Sequence, residues 1–117
     1  MTQHDDRLYL MHMRESAEKV LLYTRGKSRS DYESDEILRL ALLHLLQIIG
    51  EAASRVSAST RAKLTEMPWS AIMGMRHRIV HGYAVVDDDI IWNTIVHDLE
   101  PLLTSIRAAL DSGTESL

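Results

Sequence analysis

The sequence contains no cysteine. That removes disulfides, thiolate metal sites and cysteine nucleophiles at once, and it fits a reducing cytoplasm. It has no basic excess: 13 Lys and Arg stand against 17 Asp and Glu, a formal charge of −4. Generic nucleic-acid binding is therefore disfavoured, and any RNA contact has to come from local basic patches. The opening residues Met1-Thr2-Gln3-His4-Asp5-Asp6-Arg7 have no apolar core and do not form a secretory signal. The longest apolar run, Leu40 to Gly50, is interrupted by His44 and Gln47 and reaches about half of the roughly 20 residues a membrane span needs. Strand signals are nearly absent, and there is no internal repeat or linker. What remains is 117 residues, 45% of them hydrophobic. Such a chain makes one soluble, cytoplasmic domain (residues 1–117), with its core over about 5–110 and a tail at 111–117.

Helical periodicity dominates. Leu10, Met13, Ala17, Val20 and Leu21 predict a helix from about Asp5 to Tyr23, ended by Gly26 and the polar run to Ser30. Asp31 or Ser34 can cap a second helix running to about Val56. That helix is apolar around most of its circumference: Leu38, Ala41, Leu42, Leu45, Ile49, Ala52 and Val56 form one stripe, and Leu40, Leu43, Leu46 and Ile48 widen it. It needs burial on two sides, which a homodimer interface or a central place in a monomeric bundle would supply. Gly50 within it predicts a close helix–helix approach, and Glu51 reads as a solvated or paired carboxylate. Ser57 to Met67 is a polar connector with room for one short helix. Pro68-Trp69 opens a third main helix that Gly82 ends. The aspartates Asp87 to Asp89 suit N-capping of a last helix better than a metal cluster. Along that helix run Trp92, Ile95, Leu99, Leu102, Leu103, Ile106 and Leu110, with a bend or restart at Pro101. The fold class is all-α: an up-and-down bundle of four main helices plus a short connector helix, taken as homodimeric.

The chemistry lies in Met75-Arg76-His77-Arg78-Ile79-Val80-His81-Gly82-Tyr83. Arginine presents a permanently charged fork that matches phosphate, and histidine exchanges protons near neutrality. Cutting an RNA phosphodiester requires both, a base for the ribose 2′-hydroxyl and a cation for the phosphorane charge. Arg76 and His81 are the candidate catalytic pair, and His77 and Arg78 would position the RNA backbone. On one straight helix His77 and Arg78 flank His81. Ser70, Gly74, His77 and His81 would then line a bare groove, and Arg76 lies about 140° from His81. A site assembled from two facing chains would resolve that offset. His77 and His81 also have the i,i+4 spacing of metal ligands, but no third ligand stands nearby, and no metal or other cofactor is expected. Arg25, Lys27 and Arg29 read as a solvated turn, and His4, His12 and His44 as surface or satisfied histidines.

Taken in order, Ile49-Gly50-Glu51-Ala52, Pro68-Trp69, Arg76-x4-His81-x-Tyr83, Val86-Asp87 and Trp92 make the chain resemble the HepT-like branch of the HEPN superfamily, small all-α proteins with an Arg-x4-6-His motif. The resemblance covers about residues 5–110. It implies a homodimeric, metal-independent endoribonuclease acting on RNA, tRNA among the candidates, as the toxin of a toxin–antitoxin pair. The implied antitoxin is a nucleotidyltransferase of the MntA type, which transfers AMP from ATP to the motif tyrosine, here Tyr83. The family often carries asparagine immediately after the arginine, where this chain has His77. The alternative is a catalytically silent HEPN module that binds RNA or a nucleotidyltransferase partner.

Overall fold

Leu10, Met13, Ala17 and Val20 recur at three- and four-residue spacing, and all four are fully buried. They form the inner stripe of α1 (Gln3–Thr24), whose first turn carries Asp5 and Asp6 where negative charge suits the helix dipole. The computed structural model describes residues 3–81 and 85–112, with side chains from Asp5 onward, and most of that length is helical. After α1 the chain turns at Gly26, whose φ of +72° is the left-handed conformation that glycine adopts without strain.

The expected second helix is two helices. α2 (Arg29–Ser34) starts from a reciprocal capping box between Ser28 and Asp31, and α3 (Glu36–Arg55) starts afresh from Asp35, whose carboxylate accepts from the Leu38 amide at 3.0 Å. The cap is therefore Asp35 rather than Asp31 or Ser34. Arg39 donates to the carbonyls of Tyr32 and Glu33 and so satisfies the open end of α2. By length and composition α3 would qualify as a membrane span. In this fold it is the core helix, burying Leu42, Leu45, Leu46, Ile49, Gly50, Ala52 and Ala53 and packing on α1 and on the motif segment. Gly50 answers to a close approach: a Cβ there would stand 3.0 Å from the backbone oxygen of Ile72.

The connector holds one short helix, α4 (Ala58–Lys63), capped by Ser57. Trp69 then closes the turn behind it, its indole N–H donating to the Leu64 carbonyl at 3.0 Å. The expected third helix is broken. α5 (Trp69–Met73) ends at Gly74, α6 (Met75–Ile79) follows, and the chain then becomes extended. Strand β1 (Val80–His81) pairs antiparallel with β2 (Val85–Val86), Val80 opposite Val86 and His81 opposite Val85. The helix thus ends at Ile79, before Gly82, and these four strand residues are the small exception to the helical pattern expected from sequence.

The last rod starts as expected at Asp87, which caps α7 (Asp88–Asn93) by accepting from the Ile90 amide. Residues Thr94–Asp98 widen into a π turn, in which the Leu99 N–H reaches back five residues to the Thr94 carbonyl, and α8 (Leu99–Asp111) completes the rod. Pro101 accounts for the irregularity. It has no N–H for the His97 carbonyl, and its ring crowds that oxygen, so the rod widens just upstream. α8 packs on α1, reinforced by Arg107–Glu18 at 2.9 Å and by Arg7 donating to the Leu110 carbonyl at 3.0 Å.

Candidate active site

The motif is placed by three buried residues of its own segment. Ile72, Met75 and Ile79 go into the core against α3 and α7. Between them Arg76, His77 and Arg78 are left exposed in the last turn of α6. Among the described residues none of the three makes an ion pair, so the two guanidinium groups remain available to an outside anion. The backbone beneath them is fixed: the Arg78 amide donates to the Gly74 carbonyl, and the Val80 amide to the Arg76 carbonyl.

His81 is not on this helix. It lies in β1, its side chain 56% exposed, with Nε2 3.7 Å from Oδ2 of Asp87. That is an ion-pair distance for a protonated imidazole and too long for a hydrogen bond. The helical arithmetic linking Ser70, Gly74, His77 and His81 in one groove therefore fails at its last member, because the helix ends at Ile79 and His81 lies in β1. The i,i+4 metal spacing of His77 and His81 fails for the same reason. Among the described residues no three His, Asp or Glu side chains gather as a metal site. Tyr83 lies outside the described residues, as do Gly82 and Ala84.

The residue that sequence reasoning missed is Asp87. Its amide donates to the Ile79 carbonyl at 2.7 Å, continuing the strand pairing. That bond brings the start of α7 back to the end of α6 and sets the carboxylate beside His81. Each of the three aspartates has its own work. Asp87 caps α7 and faces the imidazole, Asp88 accepts from the Tyr32 hydroxyl at 2.6 Å, and Asp89 pairs with Arg29 at 2.9 Å. Tyr32 is fully buried against Trp92, with ring centroids 5.5 Å apart. Burial first, and then the bond to Asp88, push its hydroxyl well above the usual tyrosine range, so it remains a neutral donor holding α2 to the start of α7. The signal for the strand pair was present: the β-branched pair Val85-Val86 and the β-branched Ile79-Val80 flank a glycine.

Of the two patches considered from sequence, the first is partly neutralised. Arg25 and Lys27 are exposed, while Arg29 is engaged by Glu33 and Asp89, which raises its already high pKa. The motif patch keeps both of its arginines free of described ion-pair partners. A guanidinium pair, an imidazole and a carboxylate behind that imidazole are the parts needed to hold a phosphodiester and move one proton.

Comparison with known proteins agrees with this chemistry. The family model described as "Ribonuclease HepT-like" matches residues 13–109. The chain is 34% identical over 104 residues to "Putative RNase TTE0752" of Caldanaerobacter subterraneus subsp. tengcongensis, covering 89% of this chain and 93% of that protein. It is 30% identical over 94 residues to "Probable ribonuclease HepT" of Thermococcus cleftensis, covering 80% and 86% respectively. No solved structure matches it significantly.

Proposed function

The chain belongs to the HepT-like ribonuclease family, and on that premise we propose that it is a metal-independent endoribonuclease, the cytoplasmic toxin of a toxin–antitoxin pair. The observation that supports this reading is His81 Nε2 at 3.7 Å from Asp87, within five residues in sequence of Arg76 and Arg78, which have no ion-pair partner among the described residues. His81 takes the proton of a ribose 2′-hydroxyl, and the 2′-oxygen attacks the adjacent phosphorus. The P–O5′ bond breaks as the 5′-oxygen gains a proton. The upstream fragment keeps a 2′,3′-cyclic phosphate or its hydrolysis product. Arg76 holds the phosphate and the charge that develops on it, and His77 and Arg78 position the backbone. Inducible expression of the wild type and His81→Ala, with growth and RNA integrity followed together, tests the reading. Cleavage that EDTA abolishes and a divalent ion restores would overturn metal independence. A silent RNA- or partner-binding module would give the same growth with either protein.

Asp87 stabilises the imidazolium formed when His81 accepts its proton. Asparagine also makes a good N-cap, so Asp87→Asn removes the charge while keeping the bond to the Ile90 amide. Cleavage by Asp87→Asn should fall about tenfold, which corresponds to roughly 1.4 kcal/mol of transition-state stabilisation, with the melting temperature nearly unchanged. Undiminished turnover would show that Asp87 serves only as a cap.

The two-chain site is part of the same reading. Ile37 and Leu40, three residues apart on α3, remain 80% and 60% exposed, a face suited to a second copy of the chain. Light scattering should give a dimer at micromolar concentration, and a monomer there would confine the site to one chain.

Tyr83 is proposed as the acceptor through which a nucleotidyltransferase of the MntA type silences the toxin. The phenol oxygen attacks the α-phosphorus of ATP, pyrophosphate leaves, and the phenolic proton passes to solvent. The added phosphate would compete with RNA for Arg76 and Arg78. Incubation with the partner enzyme and ATP should add one or more AMP masses at Tyr83 and stop cleavage, while Tyr83→Phe should stay unmodified and toxic. Full neutralisation of Tyr83→Phe would mean that complex formation suffices.

A further inference from the structure

A cleft of about 360 Å³ runs between the motif segment and the last rod. Its floor is apolar, from Ile72, Met75 and Leu99, and its polar lining includes Arg78, Thr94 and Asp98. The size falls in the range of small-molecule sites, and an apolar floor with a few polar groups is their usual composition. We propose that this cleft binds one extruded nucleobase carrying an exocyclic amine, with the attached phosphate on Arg78. The base would belong to the RNA substrate, so the proposal rests on the ribonuclease reading for its biological role but not for the binding itself.

Thr94 is the first support. It is 3% exposed, and its Oγ1 has no hydrogen-bond partner among the described residues. Two other helical threonines of this chain return their hydroxyl to the carbonyl four residues back, Thr24 to Val20 at 2.8 Å and Thr104 to Glu100 at 3.0 Å. Thr94 does not, and it stands at the first position of the π turn, on the wall of the cleft. A buried hydroxyl left without a partner is costly, and π turns gather at binding sites.

Charge decides the occupant. Arg78 is exposed on α6, lines the cleft and has no ion-pair partner among the described residues, so its guanidinium is open to the phosphate attached to a bound base. Glu66 and Asp98 also line the cleft and repel phosphate, which keeps the backbone toward Arg78. The same carboxylates accept from amines. Adenine, cytosine and guanine carry such an amine; uracil shows carbonyl oxygens there instead. A ligand that is flat and apolar on its faces, a donor on one edge and anionic at its attached group matches all three parts of the lining.

The test is an amide NMR titration of the full chain with the 3′-monophosphates of adenosine, cytidine, guanosine and uridine. Shifts are expected at Ala71, Thr94 and Ser105 with the three amino-bearing nucleotides, with uridine monophosphate roughly fivefold weaker, the effect of about one hydrogen bond. Ala71→Trp, which fills the cleft from an exposed lining position, should abolish those shifts. Thr94→Val should weaken binding several-fold without lowering the melting temperature. Shifts confined to residues outside the cleft lining, shifts that survive Ala71→Trp, or equal binding of uridine monophosphate would overturn the proposal. So would the same amides shifting with protein concentration alone, since the cleft would then be covered by a second copy. Binding needs no turnover. A chain that cuts RNA yet gives no shifts here sinks only the nucleobase pocket, and one that binds yet never cuts sinks only the ribonuclease reading.

Discussion

His81→Ala and Arg76→Ala are each expected to lower RNA cleavage by on the order of 10²–10³, the usual cost of removing one group that stabilises transition-state charge or moves the reacting proton. Both side chains are exposed, and neither belongs to the buried core, so the variants should keep the wild-type circular dichroism and melting temperature. That separates chemical loss from unfolding. Arg76→Lys should recover part of the rate, since an ammonium keeps the charge without the two-pronged fit to phosphate. The measurement is cleavage of end-labelled RNA in EDTA-containing buffer, with mass spectrometry of the upstream fragment for a cyclic phosphate. Full activity of His81→Ala would remove His81 as the proton acceptor. A double variant no slower than either single one would show that the two residues act in one step.

How far the sequence alone reached varies along the chain. α1 was legible because its buried stripe, Leu10 to Val20, repeats at helical spacing for about three turns with nothing competing. The cap at Asp87, the irregularity near Pro101 and the close approach at Gly50 were legible because each depends on one residue's backbone chemistry. The break at Asp35 was hidden. The apolar run begins at Ile37, two residues on, and the choice among Asp31, Ser34 and Asp35 depends on which side-chain oxygen reaches a free amide in three dimensions. The break at Gly74 was hidden for a related reason. Ile72, Met75 and Ile79 keep helical spacing across it and all are buried, so the period continues although the helix does not.

At the site the identities of Arg76, His77, Arg78 and His81 were legible, and their geometry was not. Two-residue strands leave too little alternation to register against a helical background. His81 was therefore placed a turn beyond His77, and its nearest described carboxylate was missed. Asp87 already had a sufficient explanation as a cap, and a residue can do that with one oxygen while the other faces an imidazole.

Asp6→Ala is expected to destabilise the fold by about 3 kcal/mol, because it removes the buried acceptor of three hydrogen bonds and strands the Ser57 amide and the Thr60 hydroxyl. Asp6 is buried at the start of α1. Its carboxylate accepts from the Ser57 amide at 2.8 Å, the Ser57 hydroxyl at 2.6 Å and the Thr60 hydroxyl at 2.5 Å. Burial alone would raise its pKa, but the bonds from Ser57 and Thr60 outweigh it and hold the carboxyl below its usual 3.8. The sign follows: the folded protein binds this proton less readily than the unfolded chain, so the contribution is complete above the usual aspartate range and fades as pH falls through the depressed value. Thermal melts at pH 7 should show the variant lower by roughly 10–15 °C, and the gap should narrow toward pH 3. Asp6→Asn, which retains one accepting oxygen, should fall between. A gap independent of pH would assign the loss to packing instead. The bonds matter beyond stability, since they tie α1 to the cap of α4, and α4 leads through Leu64 and Trp69 into the segment that carries Arg76. A weakened anchor should therefore lower cleavage at temperatures well below the melting point of the variant, whereas a comparably destabilising truncation in the core of α8, Ile106→Ala, should not.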